Sequence, residues 1–392
     1  MSTLTLTNPA TLRLPLPGGA LAPLTLDAGP EPVPPPGPWS RTAYAAAHVV
    51  ADPLAEIDPW LGTAIDWDRT IAFREHLWRL GFGVAEAMDT AQRGMGLDWP
   101  TSLELIRRSL DAAGGRPVGC GAGTDHVAPG PGVSLDDVIA AYEMQCEAVE
   151  AAGGQVILMA SRALVQAARG PEDYARVYGR VLSGLTRPAI LHWLGEMFDP
   201  ALAGYWGAED HWAAMESCLA VIAENAAKVD GIKISLLSAE KEIAMRRRLP
   251  EGVRMYTGDD FNYPELIEGD AEGHSHALLG IFDPIAGPAS RALTALTGGD
   301  AAGAREIFAP TVPLSRHVFR APTRFYKTGV VFLAYLCGHQ DHFTMVGGQE
   351  SARSTLHLAE ILRLANAARL FPDPESAAAR ARAVFAARGV EA

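Results

Sequence analysis

Residues 230–266 read DGIKISLLSAEKEIAMRRRLPEGVRMYTGDDFNYPEL and contain one complete strand–helix–strand unit. The isoleucine-rich run Gly231–Ser235 predicts a short buried strand with a lysine at its centre. Ala239–Arg248 predicts a helix, and Arg254–Thr257 predicts a second strand that runs into a Gly-Asp-Asp turn. Because a helix separates the two strands, we expect them to lie parallel in one sheet.

The same alternation of strand and helix continues on both sides of this unit. The other predicted strands are Thr42–Val50, Gly83–Met88, Pro117–Gly121, Gln155–Met159, Ala189–Leu194 and Gly273–Leu279. The other predicted helices are Asp66–Leu80, Ser102–Ala113, Leu135–Ala152, Pro171–Leu185 and Asp210–Val229. Eight such strands over roughly 240 residues predict a (β/α)8 TIM barrel. An open doubly wound sheet is the competing fold, but no Gly-rich phosphate-binding turn follows the first strand.

The two ends of the chain differ from this repeating part. Residues 1–39 form a Pro-rich N-terminal extension, in which TLRLPLPGG and APLTLDAG predict a β-hairpin and EPVPPPGP predicts a stiff linker. Residues 40–300 are predicted to form the catalytic barrel, and residues 301–392 a C-terminal helical region. The clearest helices of that region are Ser351–Leu370 and Pro374–Ala387.

Composition and charge exclude several classes of protein. The 392 residues are 48% hydrophobic and 20% charged, which is enough apolar material for a sizeable core. The formal net charge is −13 without a block of like charges, which argues against nucleic-acid and membrane partners. The four cysteines are widely separated, and the N-terminus lacks the basic and apolar pattern of a secretory leader. We therefore expect a cytoplasmic protein with reduced thiols.

A barrel places its active site at the mouth formed by the C-terminal ends of its strands. The sequence carries many polar side chains at the positions predicted to form this mouth. In strand order they are Asp89, Thr90, Asp125, His126, Ser161, Arg162, His192, Glu196, Lys233, Asp259, Asp260, His274 and His276. Some of them are expected to serve only as hydrogen-bonded core or loop groups. Their concentration at one mouth predicts a functional site.

Lys233 is the strongest single candidate in this set. The chain contains 29 arginines but only four lysines, and this lysine lies inside a β-branched run, where lysine is rarely buried. A partly desolvated lysine loses its proton more readily, with a pKa that falls from about 10.4 towards about 7–8. The free amine can attack a carbonyl carbon and form a Schiff base. The alternative is a lysine that extends to the rim or pairs with Asp259 or Asp260.

Residues 230–266 resemble the dihydrodipicolinate synthase / N-acetylneuraminate lyase superfamily of class I aldolase barrels. Members of that superfamily carry a GIK lysine on strand six, followed by a helix and a strand that ends in GDD. The segment CGAGTD at 120–125 resembles their third strand, and RPAILHW at 187–193 resembles their fifth. The Gly-rich eighth strand and residues 325–329, with Lys327, also fit. The resemblance implies that Lys233 is the Schiff-base lysine.

The long ends of the chain resemble a branch of this superfamily with terminal extensions. The chain departs from the superfamily pattern at two places. The acid/base tyrosine of strand five is replaced by His192, whose imidazole can also shuttle a proton near neutral pH. The carboxylate-binding GTTGE motif of strand two is replaced at residues 89–92, where only Thr90 is retained. Dihydrodipicolinate synthesis itself is therefore not expected, and Arg162 is a candidate anchor for an acidic group of the substrate.

The sequence thus predicts a class I, Schiff-base lyase that acts on a small oxo acid or keto sugar. Lys233 is the predicted nucleophile and His192 the predicted proton shuttle, with Asp259 and Asp260 as orienting groups. The predicted substrate contacts are Thr90, Asp125, Arg162 and His276. No organic cofactor is implied, and the helical ends of the chain predict contacts in a homo-oligomer.

Two alternatives use the same mouth in a different way. His274 and His276 are two residues apart on a predicted strand, so both face one side, and Glu196 is a candidate third ligand. Such a site would make the protein a divalent-metal barrel isomerase, epimerase or class II aldolase, although no compact motif such as HExxH is present. The third interpretation is a barrel that binds a sugar or acid without catalysis, which leaves Lys233 unexplained.

Overall fold

The computed structural model describes residues 9–391 and contains a hairpin and a closed barrel of eight parallel strands. The hairpin pairs β1 (Thr11–Pro15) with β2 (Leu21–Thr25) in antiparallel orientation. The barrel strands are β3 (Ala43–Ala46), β4 (Gly83–Glu86), β5 (Val118–Ala122), β6 (Gln155–Leu158), β7 (Ala189–Leu194), β8 (Val229–Ser235), β9 (Arg254–Thr257) and β10 (His276–Leu279). Each barrel strand pairs with the next, and β10 closes the barrel against β3. The predicted (β/α)8 TIM barrel is confirmed.

Helices connect the barrel strands and continue beyond the last of them. Around the barrel lie α1 (Trp67–Arg79), α2 (Trp99–Ala113), α3 (Leu135–Ala151), α4 (Arg162–Ala167), α5 (Pro171–Gly184), α6 (His211–Glu224), α7 (Ala239–Arg246), α8 (Tyr263–Glu268) and α9 (Ala286–Thr297). The C-terminal region adds α10 (Ala301–Phe308), α11 (Thr311–Val318), α12 (Tyr326–Leu336), α13 (Thr355–Ala367) and α14 (Pro374–Ala387). None of the helices within residues 9–391 combines the length and apolar character that crossing a bilayer requires.

Local side-chain chemistry fixes where these helices begin. At the start of α3 the Ser134 hydroxyl accepts a hydrogen bond from the Asp137 amide (3.2 Å), and the Asp137 carboxylate accepts one from the Ser134 amide (2.9 Å). This reciprocal pair is a capping box, which satisfies two amide groups that the helix itself leaves unpaired. Asp66 and Asp98 cap α1 and α2 by accepting amide hydrogen bonds in the same way.

The inside of the barrel is filled with side chains. Its core members are Tyr44, Ala46, Ala85, Met88, Ile157, Met159, Ile190, Tyr256 and Leu278. The rings of Tyr44 and Tyr256 meet edge to face with their centroids 6.2 Å apart. Gly83 makes room for them, because a Cβ at this position would lie 2.6 Å from the Tyr44 ring. The barrel is therefore a packed core without a pore, and a ligand site belongs at its mouth.

The N-terminal hairpin packs on the C-terminal helices. Arg382 of α14 donates a hydrogen bond to the carbonyl of Thr11 (2.9 Å). The Asn366 side chain at the end of α13 accepts from the Asp27 amide (2.7 Å) and donates to the carbonyl of Thr25 (3.2 Å). The two ends of the chain therefore form one layer against the outside of the barrel.

Glu242 on α7 is a buried carboxyl group that is only partly satisfied. Its Oε1 accepts a hydrogen bond from the Ser275 hydroxyl (2.7 Å), whereas Oε2 has no partner within residues 9–391. Burial raises the pKa of Glu242 from 4.5 to about 8. Between these two pH values the folded chain keeps a proton that the unfolded chain has released. Stability is therefore expected to fall as the pH rises through this window and to level off above it.

Replacing Glu242 with glutamine should remove this part of the pH dependence, because the amide stays neutral at every pH. Relative to Glu242→Gln, the wild type should lose on the order of 3 kcal/mol of unfolding free energy between about pH 5 and about pH 8. Urea unfolding across this range measures the difference. Glu240→Gln, an exposed position of the same helix, is the control and should follow the wild type. Equal slopes for the wild type and Glu242→Gln would contradict the prediction.

Candidate active site

Lys233 lies in β8 and points into the barrel just below its mouth. It pairs in register with His192 on β7 and with Tyr256 on β9. Register partners on parallel strands face the same side of the sheet, and Tyr256 belongs to the barrel interior, so Lys233 and His192 also point inward. Lys233 is only 7% exposed, and its ammonium group forms no hydrogen bond or ion pair with any residue between 9 and 391.

The Gly-Asp-Asp turn after β9 makes room for the lysine. A Cβ at Gly258 would lie nearest to the Ser235 hydroxyl, and then 2.6 Å from the carbonyl oxygen of Ile234 and 2.8 Å from Cε of Lys233. Both distances are too short for a real methyl group, so the lysine or the strand would have to move. The glycine of this motif is thus explained by the side chain that packs against it.

Gly258→Ala is therefore expected to displace Lys233 and to strain the adjacent strand. Overpacking of this kind usually costs about 1–3 kcal/mol of unfolding free energy. Thermal unfolding measures that cost, and the chemical reactivity of Lys233 should fall with it. Gly179→Ala is the matched control, because a Cβ there meets nothing within 4 Å. A Gly258→Ala protein as stable and as reactive as the wild type would show that the lysine does not need this space.

The two aspartates of the turn do different work. The Asp259 carboxylate accepts hydrogen bonds from the amides of Phe261 (2.8 Å) and Asn262 (3.1 Å), so it stabilises the turn itself. The Asp260 carboxylate accepts one from the amide of Ile281 (2.9 Å), and its charge acts on Lys233. Burial raises the pKa of both carboxyl groups. Of the two predicted orienting groups, Asp260 is the one that acts on the lysine.

Burial also lowers the pKa of Lys233, because a charged ammonium group loses its hydration inside the barrel. The negative charges of Asp260 and Asp89 oppose this effect without cancelling it. The lysine is therefore easier to deprotonate than an exposed one, which is the condition for nucleophilic attack by its amine.

His192 is a neutral imidazole beside the lysine. It is 1% exposed, and its Nε2 lies 3.3 Å from the Ser235 hydroxyl. Its Nδ1 has no hydrogen-bond partner within residues 9–391 and lies 4.0 Å from the Asp89 carboxylate. Burial and then the charge of Lys233 hold the pKa of His192 well below its usual value. The ring is therefore unprotonated at neutral pH.

Thr90 meets a tyrosine from the C-terminal region. Its hydroxyl lies 2.8 Å from the hydroxyl of Tyr326, the first residue of α12. Gly280, directly after β10, permits this approach, because a Cβ there would lie 3.3 Å from the Thr90 hydroxyl and 3.3 Å from the Tyr326 ring. The C-terminal region thus places the phenol of Tyr326 at the mouth. The fifth barrel strand, β7, carries His192 instead of a tyrosine.

A cavity of about 80 Å³ opens at the mouth on the side of β5 to β7. Its polar walls include Asp89, Arg93, Asp125, Arg162, His192 and Asp199. Asp125 is bound by the Arg93 guanidinium through two hydrogen bonds (2.7 and 2.9 Å), and Arg162 is paired with Asp199 (2.5 Å). Lys233 is not part of the wall, but its neighbours His192 and Asp89 are. The predicted contacts Asp125 and Arg162 therefore reach the mouth, already engaged by protein partners.

Lys327 is a second buried amine near the mouth. Its Nζ donates to the carbonyl of Arg324 (3.1 Å) and lies 3.2 Å from the sulfur of Met95. Burial lowers its pKa to about 8, although the charges of Asp89 and Asp199 act in the opposite direction. The sequence resemblance included this lysine without giving it a role, and it brought out neither Arg93 nor Tyr326.

The histidines of the metal alternative do not lie at the mouth. The eighth barrel strand begins at His276, so His274 and His276 lie at its N-terminal end, and placing them at the mouth was wrong. His276 Nδ1 accepts a hydrogen bond from the Thr42 amide (2.9 Å), and Glu196 pairs with His211 (3.0 Å). Within residues 9–391, no group of three or more histidine, cysteine or acidic side chains is arranged to hold a metal ion.

The barrel and its inward-pointing lysine on the sixth strand define a class, the barrels with the dihydrodipicolinate synthase fold. YagE, a prophage protein of the dihydrodipicolinic acid synthase family from E. coli K12 solved with pyruvate, matches with a TM-score of 0.65 at 15% identity, over 84% of this chain and 99% of that chain. Chloride-inhibited dihydrodipicolinate synthase from Acinetobacter baumannii, also with pyruvate, gives 0.63 at 14%, over 84% and 99%. The Aquifex aeolicus synthase gives 0.58 at 13%, over 76% and 88%.

The chain belongs to the family described as "Protein of unknown function (DUF993)", whose model matches residues 12–390. No curated protein matches the sequence. The TM-scores of these neighbours confirm, at the level of the fold, the resemblance that the GIK and GDD motifs indicated.

Proposed function

We propose that the protein is a class I aldolase-like lyase that forms a Schiff base through Lys233. The observation that carries this proposal is a buried lysine on the sixth barrel strand whose amine has no partner in the described part of the chain. A structural lysine in such a place would need an ion pair or hydrogen bonds to offset its desolvation. Two structural neighbours with the same fold were solved with pyruvate, a small oxo acid, which supports the proposal further.

The proposed reaction begins with attack of the neutral Lys233 amine on the carbonyl carbon of the substrate. The resulting carbinolamine loses its hydroxyl group as water and leaves a protonated imine. The imine then accepts the electron pair of the neighbouring carbon–carbon bond as that bond breaks, while a base removes a proton from the departing fragment. Protonation of the enamine and hydrolysis by water release the second product and return the free lysine.

His192 is the proposed proton acceptor, because its free Nδ1 faces the mouth beside Lys233 and the ring is neutral. The hydrogen-bonded hydroxyls of Thr90 and Tyr326 are a proposed second route for protons. Asp260 is proposed to stabilise the protonated imine through its negative charge. Asp259 is assigned to the turn and not to the chemistry.

The proposed substrate is a small, polar oxo acid or keto sugar. Arg162 and Lys327 lie on the side of the mouth where an acidic group of the substrate would bind, and Asp125 and Asp199 can accept hydrogen bonds from hydroxyl groups. For an acid to bind, Arg162 must exchange its contact with Asp199 for the ligand. An exposed pair of this kind contributes little stability, so the exchange costs little.

Borohydride trapping tests the proposal directly. A reduced imine is a stable secondary amine, whereas a metal-bound or merely bound substrate leaves nothing to reduce. The full-length protein is incubated with pyruvate, longer 2-oxo acids or keto sugars plus borohydride, and the modified residue is located by peptide mass spectrometry. We expect one adduct on the peptide that contains Lys233, undiminished by chelators. Labelling spread over all four lysines, or none with any compound, would contradict it.

Homo-oligomer contacts through the terminal layers and a cytoplasmic location stay predictions. Analytical ultracentrifugation of the purified chain tests the first. The second requires localisation in the cell.

A further inference from the structure

A second, larger cavity of about 620 Å³ lies outside the barrel, between α1, α9, α12 and α14. Residues 30–32 of the Pro-rich linker and residues 369–373 between α13 and α14 complete its wall. Its volume falls in the range of about 300–1,000 Å³ that small-molecule sites usually have. No residue assigned to the mouth lines it, so this cavity is separate from the proposed active site.

Five arginines lie in the wall of this outer cavity. The arginines that line it are Arg69, Arg79, Arg291, Arg369 and Arg380. Arg69 forms an ion pair with Asp341, and Arg369 donates to the carbonyl of Ala28 (2.8 Å). The other three, Arg79, Arg291 and Arg380, form no ion pair with any residue from 9 to 391. Arg79 is exposed, and Arg291 and Arg380 are half-buried, so their charges face solvent and no carboxylate of the described residues pairs with them.

Two histidine rings lie beside these arginines, and His76 accepts a hydrogen bond from Arg79. One guanidinium nitrogen of Arg79 lies 2.9 Å from His76 Nδ1, and the rings of His76 and His339 pack with centroids 4.5 Å apart. Burial lowers the pKa of His339 well below its usual value, and neighbouring histidines and the charges of Arg79 and Arg380 add to the effect. The local field around His339 is therefore positive.

Four carboxylates share the cavity wall with the five arginines, so the wall carries a formal excess of one positive charge. Asp283 is buried and bound by the backbone amide of His48 (2.7 Å) and by its ring (2.7 Å). Asp373 accepts the amide hydrogen bond that caps α14. Glu31 and Glu75 lie on the exposed rim, where neither forms an ion pair within the described residues. The arginines thus keep free donors towards the interior of the cavity.

We propose that the outer cavity binds a small multivalent oxyanion, either a phosphate ester or a polycarboxylate. The guanidinium group is a planar fork that binds such oxyanions through paired, charge-assisted hydrogen bonds. Arg79, Arg291 and Arg380 come from three different helices that line the cavity, α1, α9 and α14. Donors that converge from several directions suit a ligand with several charged oxygens.

Isothermal titration of the full-length protein at low ionic strength tests this site, with inorganic pyrophosphate and citrate as the two probes. We expect saturable binding of at least one probe with one site per chain. The combined variant Arg291→Gln and Arg380→Gln should weaken it about a hundredfold or more, because each charge-assisted bond contributes about tenfold or more. Arg107→Gln, an exposed arginine of α2 outside the cavity, is the matched control and should bind like the wild type.

The two probes distinguish the two classes of ligand, because a phosphate site prefers pyrophosphate and a polycarboxylate site prefers citrate. Melting temperature without added anion gives an independent measurement. Removing unpaired like charges should leave it unchanged or raise it, so loss of binding cannot then be blamed on unfolding. Absence of saturable binding by either probe, or equal binding by the combined variant and the wild type, would overturn the proposal.

Discussion

A Lys233→Arg protein is expected to form no borohydride-stable adduct with any oxo acid or keto sugar that labels the wild type. Arginine keeps the positive charge and nearly the length of the lysine side chain, but its guanidinium does not deprotonate near neutral pH and cannot attack a carbonyl. Turnover should fall about 10⁴-fold or more, as happens when an enzyme loses its nucleophile. Intact-protein mass after reduction and single-turnover assays measure the two effects.

Lys327→Arg is the most demanding control for this experiment. Lys327 is also buried near the mouth, and its pKa of about 8 makes it the strongest competitor for an aldehyde or ketone. We expect this variant to keep the adduct on Lys233, because arginine preserves the positive charge at position 327. An adduct that survives in Lys233→Arg and disappears in Lys327→Arg would transfer the Schiff base to Lys327 and contradict the proposed role of Lys233. Circular dichroism excludes unfolding as the cause in either variant.

The sequence was sufficient to predict the barrel because its strands are short, buried runs bounded by polar loops. Ala189–Leu194 and Arg254–Thr257 begin and end where the sequence pattern placed them. The first barrel strand is shorter than its apolar run, since it stops at Ala46. Beyond that point the backbone amides bond to side chains instead of to a neighbouring strand, as the His48 amide does to Asp283 (2.7 Å). The hydrophobicity of the run does not show whether its amides bond to a neighbouring strand or to side chains, so it does not predict where the strand ends.

The placement of His274 and His276 failed for a related reason. All eight parallel strands run towards the mouth, so His274 and His276, at the start of the predicted strand Gly273–Leu279, belong to the end away from it. Gly273 adopts a φ of 148°, and its amide donates to the Asp270 side chain (3.1 Å), so a tight turn still occupies these positions. The strand therefore begins at His276, and the chain reaches the mouth only after Leu279.

The pairing of Thr90 with Tyr326 could not be predicted from the sequence either, because 236 residues separate them. Tyr326 begins an apolar helix, which by itself suggests a core residue. Only the packing of the C-terminal region against the barrel brings its hydroxyl to the mouth. The candidate site is thus predictable where one strand–helix unit carries it, as for Lys233 and Asp260, and not where distant segments meet.

His192→Phe is expected to lower kcat by about 10²–10⁴-fold, the usual contribution of a general acid or base, while KM changes little. Phenylalanine has a similar shape and fills the same buried space, but it cannot accept a proton from the substrate. Tyr326→Phe is the matched variant, because it removes one hydroxyl from the other proposed proton route. If that hydroxyl only orients Thr90, its loss should lower kcat about threefold to tenfold, the contribution of one hydrogen bond.

The pH profile separates a chemical role for His192 from a packing role. Since burial holds the pKa of His192 well below its usual value, protonation of His192 should not lower the kcat of the wild type as the pH falls from about 8 to about 6.5. His192→Phe should instead show a kcat that rises with pH, as hydroxide or another base replaces the missing imidazole. Full turnover in His192→Phe would reduce the residue to packing. A larger loss in Tyr326→Phe than in His192→Phe would assign the proton transfer to the C-terminal tyrosine.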